Sequence, residues 1–151
     1  MTDAGDATLP NLDELLCFAV YSTGFAFNRM YRRPLMRLGL TYPQFVVMAA
    51  LWGRNSVAVG VLGTKLSLDT NTLTPLLKRL EAMGLIVRER SKQDERRVIV
   101  SLTEKGSRMR SEAGSILRCT FVAANMPAAD FANLTRDIQA LRRNLERAAE
   151  A

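Results

Sequence analysis

The feature that most limits what this chain can fold into is a change of hydrophobic period at Gly84. Before it, Leu73, Leu76, Leu77, Leu80 and Met83 recur at steps of three and four, which marks one face of a helix. After it, Ile86-Val87-Arg88-Glu89-Arg90 and Arg97-Val98-Ile99-Val100-Ser101-Leu102 read as two short strands flanking the polar run SKQDER. Gly84 suits the end of a helix because it accepts the left-handed backbone that closes the last turn. The segment is therefore a helix feeding a β-hairpin with a charged tip.

The flanking residues extend this unit. Residues 12–37 read as one helix: Leu12, Leu15, Leu16, Ala19 and Val20 hold helical spacing, and Phe25, Phe27, Met30 and Tyr31 spread the apolar surface beyond one stripe. A helix apolar over most of its circumference must be covered on more than one side, which suggests a partner subunit. Gly39 ends it. Thr41 or Tyr42 then caps a second helix with Pro43 in its first turn. Ser56 is read as the cap of a short helix through Val59, Leu62 and Leu66, and Asp69 or Thr70 as the cap of the helix ending at Gly84. Pro75 is placed in that helix's first turn, where it is tolerated. Downstream, Thr103-Glu104 opens a helix running through Met109 and Ile116 toward Cys119 and Phe121, until Asn125-Met126-Pro127 breaks it. The last helix carries Phe131, Leu134, Ile138, Leu141 and Leu145 in an a/d pattern of helix-on-helix packing; it could pack within one chain, but surplus apolar helix at both chain ends favours a seam between subunits.

Two consecutive helices joined by a short turn and followed by a basic strand pair form a winged helix-turn-helix. The expected class is mainly α with a small β-hairpin wing (α+β), in a single domain spanning 1–151. Within it, residues 41–102 are the winged helix-turn-helix DNA-binding part, and 10–37 and 103–149 are N- and C-terminal dimerisation helices.

Composition removes most rivals. One chain of 151 residues supports about one core. It has no histidine, which excludes His-based catalysts and His-ligated metal sites. Its two cysteines stand 102 positions apart, so they make neither a CxxC pair nor a zinc knuckle nor a disulfide framework. The opening MTDAGDATLP is polar and acidic, unlike a signal peptide. No apolar run reaches the roughly 18 residues of a spanning helix. A cytoplasmic protein without membrane, cofactor or metal is expected. The net charge of +6 is uneven: residues 65–110 hold eleven basic and six acidic groups. A basic stretch between neutral ones is the footprint of a polyanion site. It coincides with the second helix of the unit and its wing.

For double-stranded DNA, Lys78, Arg79, Lys92, Arg96 and Arg97 are candidates for neutralising phosphates. Asp69, Thr70, Asn71, Thr72 and Thr74, at the start of the 70–84 helix, are placed to meet bases or phosphates. A twofold homodimer would require a pseudo-palindromic operator.

The segments LTYPQFVVMAALW and LSLDTNTLTPLLKRLEAMGLIVRERSKQDERRVIVSLTEKG, with the D-x-R of Asp94–Arg96, resemble the MarR family of dimeric winged-helix regulators. LDELLCFAVYSTGFAFNRMYRRPLMRLGLTYPQF is similar to the organic hydroperoxide sensor branch, the OhrR-type repressors. Those carry a reactive cysteine in the first helix with tyrosines four, fourteen and twenty-five positions later; here these are Cys17, Tyr21, Tyr31 and Tyr42. The resemblance implies that Arg96 enters the minor groove with Asp94 fixing its direction; the plain reading of that pair is a hairpin salt bridge. It also implies that Cys17 is oxidised by organic hydroperoxides and that phenol O–H groups favour its thiolate. Phe18, Phe25, Phe27 and Phe45 are candidates for an apolar surround. Cys119 would resolve the oxidised cysteine across subunits; otherwise it is a core thiol and a small thiol takes that part. Val61 stands where the family commonly has an acid. Two rivals stay open: a repressor released by a small lipophilic or phenolic ligand with Cys17 inert, and a thiol peroxidase. The peroxidase lacks an arginine or threonine close before Cys17 and has no need of a basic hairpin, so no enzyme is expected.

Overall fold

The computed structural model describes residues 10–151. The acidic opening with Asp3 and Asp6, read above as no signal peptide, lies outside the described residues.

The first helix, α1 (Leu16–Met36), begins later than its apolar pattern. A 3-10 turn over Leu12–Glu14 precedes it, and Leu15 is extended between the two. The turn closes on itself through Glu14 N–H to Asn11 O and Leu15 N–H to Leu12 O, so the expected single helix over 12–37 is two pieces. Cys17 thereby becomes the second residue of α1, among N–H groups that have no partner within the helix.

Gly39, at φ +68°, turns the chain into α2 (Tyr42–Trp52). Thr41 caps α2 in a reciprocal box: its hydroxyl accepts from Gln44 N–H, and the Gln44 side chain accepts from Thr41 N–H at 2.8 Å. Ser56 is not a helix cap. It begins a short strand, β1 (Ser56–Ala58), because Val57 pairs with Val100 and the Ser56 and Ser101 hydroxyls meet at 3.0 Å. Helix α3 (Val59–Leu66) follows, then α4 (Thr70–Ala82). Pro75 is the sixth residue of α4 rather than part of its first turn, so the Asn71 carbonyl loses its helical donor. Asn71 is exposed, where water can serve that oxygen.

Strands β2 (Ile86–Arg90) and β3 (Val98–Leu102) form the hairpin. The sheet has three strands in the order β1-β3-β2, both pairs antiparallel. Downstream come α5 (Glu104–Arg108), α6 (Arg110–Ala124) and α7 (Ala128–Ala149). The helix expected to run unbroken from Thr103 loosens at Met109, which divides α5 from α6.

The core lies inside the winged unit and against the end of α1. Leu35, Met48, Leu51, Leu62, Leu73, Leu77, Leu80, Leu85 and Val100 are fully buried there. Gly106 sets the join between α5 and the sheet: a Cβ on it would stand 2.0 Å from the Leu85 carbonyl oxygen. Its own carbonyl accepts from Trp52 Nε1 at 2.9 Å, which ties α5 to α2. Thr103 completes the corner, accepting from Gly106 N–H and donating to Gly84 O.

Candidate functional site

The start of α4 is built by Asp69. Its carboxylate accepts the Thr72 N–H at 2.7 Å. That backbone bond, with the Thr72 hydroxyl second, holds the carboxyl below its usual range. The cap leaves Thr70, Asn71 and Thr72 exposed, with Thr74 half-buried one turn on. Lys78 and Arg79 are exposed further along the helix.

The wing tip is a turn held by small polar groups. The Ser91 hydroxyl accepts from Gln93 and Asp94 N–H, and Arg97 N–H donates to Asp94 O at 2.9 Å. The Asp94 carboxylate accepts from the Arg96 backbone N–H at 3.1 Å. Asp94 therefore fixes the backbone that carries Arg96. Among the described residues the Arg96 guanidinium makes no ion pair, so the plain hairpin salt bridge is not formed. Arg96, Arg97 and Lys92 are all exposed. A cavity of about 610 Å³ is lined by Thr70 and Thr74 of α4, Arg96 and Arg97 of the wing, and Gly60 and Val61 of α3. Hydroxyls and guanidiniums converging on one groove suit a phosphate backbone.

Two residues that hold this arrangement escaped sequence reasoning. Arg88 of β2 donates from Nη2 and Nε to Glu81 Oε2 at 2.7 and 3.1 Å, and its backbone N–H reaches the other oxygen. The pair fastens the wing to α4. The Arg88 hydrogen bonds keep the Glu81 carboxyl below its usual range. Opposite charges on either side of the Gly84 turn were the signal available.

The thiol region is organised differently. Cys17 is exposed in the first turn of α1, and Tyr21, one turn on, is exposed with its ring edge-on to Phe25 at 4.7 Å. Tyr31 is buried, stacked on Tyr42 at 5.0 Å and tilted against Phe45 at 5.8 Å. Its phenol oxygen is hydrogen-bonded to the Thr120 hydroxyl of α6. Burial, and then the neighbouring Tyr31, push the Tyr42 phenol up. Fourteen residues of helix separate Cys17 from Tyr31, roughly 21 Å at the α-helical rise. Within one chain the tyrosine pair and the thiol do not meet. The phenylalanine candidates divide: Phe27 stacks on Tyr31 at 6.5 Å and Phe45 packs on Tyr31 and Trp52, whereas Phe25 packs on Tyr21 and Phe18 is half-buried on α1.

Cys119 is exposed on α6, not a core thiol. It lines a cavity of about 420 Å³ with Arg33, Pro34, Arg37 and Ile116. Arg33 is sixteen residues from Cys17, roughly 24 Å along the same helix. A disulfide needs Cα atoms within about 7 Å, so a bridge between the two cysteines within one chain is out of reach.

Apolar side chains stay exposed on the helices that flank the winged unit: Leu12 precedes α1, Leu16, Val20 and Phe25 lie on α1, Phe121 on α6, and Leu134 and Ile138 on α7, which has no buried residue. Among the described residues no three His, Cys, Asp or Glu converge as a metal would require, and no helix is long and apolar enough to cross a membrane.

Residues 29–112 match the family described as transcriptional regulator SarA/Rot. The chain is 48% identical over 106 residues to the HTH-type transcriptional regulator TtmR of Methylorubrum extorquens (strain PA1), a match covering 70% of this chain and 54% of that protein. This chain thus spans about half the length of that relative. It is 42% identical over 105 residues to the organic hydroperoxide resistance transcriptional regulator of Bacillus subtilis (strain 168), covering 70% of this chain and 71% of that one. Among solved structures, reduced AbfR bound to DNA superposes with a TM-score of 0.75 at 30% identity, covering 90% of this chain and 93% of that one; AbfR has also been solved in a disulfide-formed state. The chain belongs to the SarA/Rot transcriptional regulators, winged-helix proteins of the MarR type.

Proposed function

We propose that this regulator is a homodimeric repressor that releases its operator when Cys17 is oxidised by an organic hydroperoxide. The observation that carries this reading is the position of Cys17. It is exposed in the first turn of α1, on a helix that also leaves Leu16, Val20 and Phe25 exposed, and exposed apolar residues that lie together mark interaction surfaces. Its likeness to the Bacillus hydroperoxide regulator supports the signal, and the DNA-bound and disulfide-formed states of AbfR support the switch.

In this reading residues 10–37 and 103–149 pack against a second copy, and 41–102 read DNA. The tyrosine pair that cannot reach Cys17 in its own chain comes from the partner. The Cys17 thiolate attacks the terminal peroxide oxygen. An S–O bond forms, the O–O bond breaks, and the alkoxide leaves with a proton as the alcohol, so sulfur is oxidised and the peroxide reduced. The Cys119 thiolate of the other copy then attacks the sulfenic sulfur. An S–S bond forms and hydroxide leaves, protonated to water. The new bridge repacks α1 against α6, moving the α4 and wing pair off a fixed half-site spacing. On DNA, Lys78, Arg79, Lys92, Arg96 and Arg97 meet phosphates or the minor groove, and Asp69, Thr70, Asn71, Thr72 and Thr74 present the start of α4 to the major groove. Arg96 acts from the wing tip that Asp94 holds.

The test is binding to the protein's own upstream DNA before and after one equivalent of an organic hydroperoxide, in wild type and Cys17→Ser. The expected result is release in wild type alone. Equal insensitivity in both would transfer the signal to a reversible ligand, and peroxide turnover without DNA affinity would make the protein a peroxidase.

A further inference from the structure

Thr120 is a buried polar side chain that the reading above does not use. It is 8% exposed, on the face of α6 turned to α1, and its hydroxyl meets the buried Tyr31 phenol across 89 positions of sequence. A serine or threonine inside a helix commonly returns its hydroxyl to a carbonyl one turn earlier. Thr64 does so to Gly60 O, Ser115 to Glu112 O and Thr135 to Phe131 O, whereas the Thr120 hydroxyl is directed at Tyr31.

We propose that Thr120 is a positioning residue for the sensor: its O–H donates to the Tyr31 phenol oxygen, leaving the Tyr31 O–H free to donate to the Cys17 thiolate of the second copy. This deepens the proposed function and rests on it. A phenol has one proton to give. If Tyr31 donated to Thr120, it would have none for a sulfur anion. With Thr120 as donor, Tyr31 accepts one bond and donates another, and such chains strengthen each member. The Tyr42 ring stacked at 5.0 Å and Phe45 at 5.8 Å hold the Tyr31 ring, so Thr120 sets only the direction of its proton. The ionisable groups around this point are Tyr42 on α2 and Cys119, which precedes Thr120 on α6; Arg33, Arg37 and Glu112 line the separate cavity beside Cys119.

The experiment follows Cys17 alkylation by iodoacetamide against pH in the reduced full-length protein, read on the Cys17 peptide by mass spectrometry. Wild type, Thr120→Val, Thr120→Ser and Tyr31→Phe are compared, with operator affinity measured on each. Thr120→Val keeps the shape and removes the hydroxyl. It is expected to slow alkylation near neutral pH roughly tenfold, the equivalent of one pH unit along the curve, toward the Tyr31→Phe profile. Thr120→Ser should restore the wild-type curve, and the reduced Thr120→Val protein should keep its operator affinity. A Thr120→Val curve that overlays wild type while Tyr31→Phe moves would overturn this inference and leave the proposed function standing. A Tyr31→Phe curve that does not move would overturn this inference and the partner tyrosine of the proposed function, while peroxide-driven release of DNA by wild type and not by Cys17→Ser would still uphold the redox switch.

Discussion

The winged unit and the helices around it obey different rules. In residues 41–102, apolar positions are nearly all covered by the chain itself: Leu73, Leu77 and Leu80 of α4 close on Val47, Met48 and Leu51 of α2. In α7, apolar residues recur just as regularly, yet none is buried. Equal periodicity with unequal burial separates an element whose apolar face its own chain covers from one whose apolar face it does not. Chemistry divides along the same line. The basic groove is assembled within the chain, whereas Cys17 and Tyr31, on which Tyr42 stacks, stand roughly 21 Å apart along α1.

The largest effect is expected on α7, whose uncovered apolar face the proposed homodimer would bury. Leu134→Glu combined with Ile138→Glu should leave a folded monomer by sedimentation velocity. Operator affinity should drop toward the non-specific level, on the order of a thousandfold. A dimer of unchanged affinity would erase the contrast. Within the winged unit, Leu77→Ala should cost about 2–5 kcal/mol by denaturant unfolding, through the cavity it leaves. Gly106→Ala should cost about 1–3 kcal/mol, because its Cβ would meet the Leu85 carbonyl and the backbone must shift.

The smallest effect concerns the wing's anchor. Glu81 titrates below its ordinary value when folded, so its contribution is present above the unfolded value of about 4.3 and is lost as pH falls through the folded one. With Glu81 partly exposed, the effect is modest. Glu81→Gln should flatten the acid limb of stability below about pH 5, measured by urea titration at each pH.

Much of the winged unit was legible because its signals are local. The Asp69 cap, the Gly84 stop and the wing strands each announce themselves within a few residues. Counting from the Asp69 cap also puts Pro75 in the second turn, so its true position was within reach of the same signal. Strand β1 was not legible, since three residues carry no period and Ser56–Ala58 become a strand only by pairing with β3. The break at Leu15 was hidden by an apolar spacing that runs through it. At the site, the Cys17 and tyrosine spacing was visible, but its failure to close within one chain needed the helix geometry. Thr120 was invisible because its partner lies 89 positions away.

The most direct test of a sensor completed by two copies is a mixed dimer of Cys17→Ser and Cys119→Ser subunits, treated with one equivalent of organic hydroperoxide and run on a non-reducing gel. The account predicts a covalent dimer whose linked peptides join Cys17 of one chain to Cys119 of the other, with no such band from either variant alone. A mixed dimer that stays uncrosslinked while wild type crosslinks, or a wild type that never crosslinks, would contradict it.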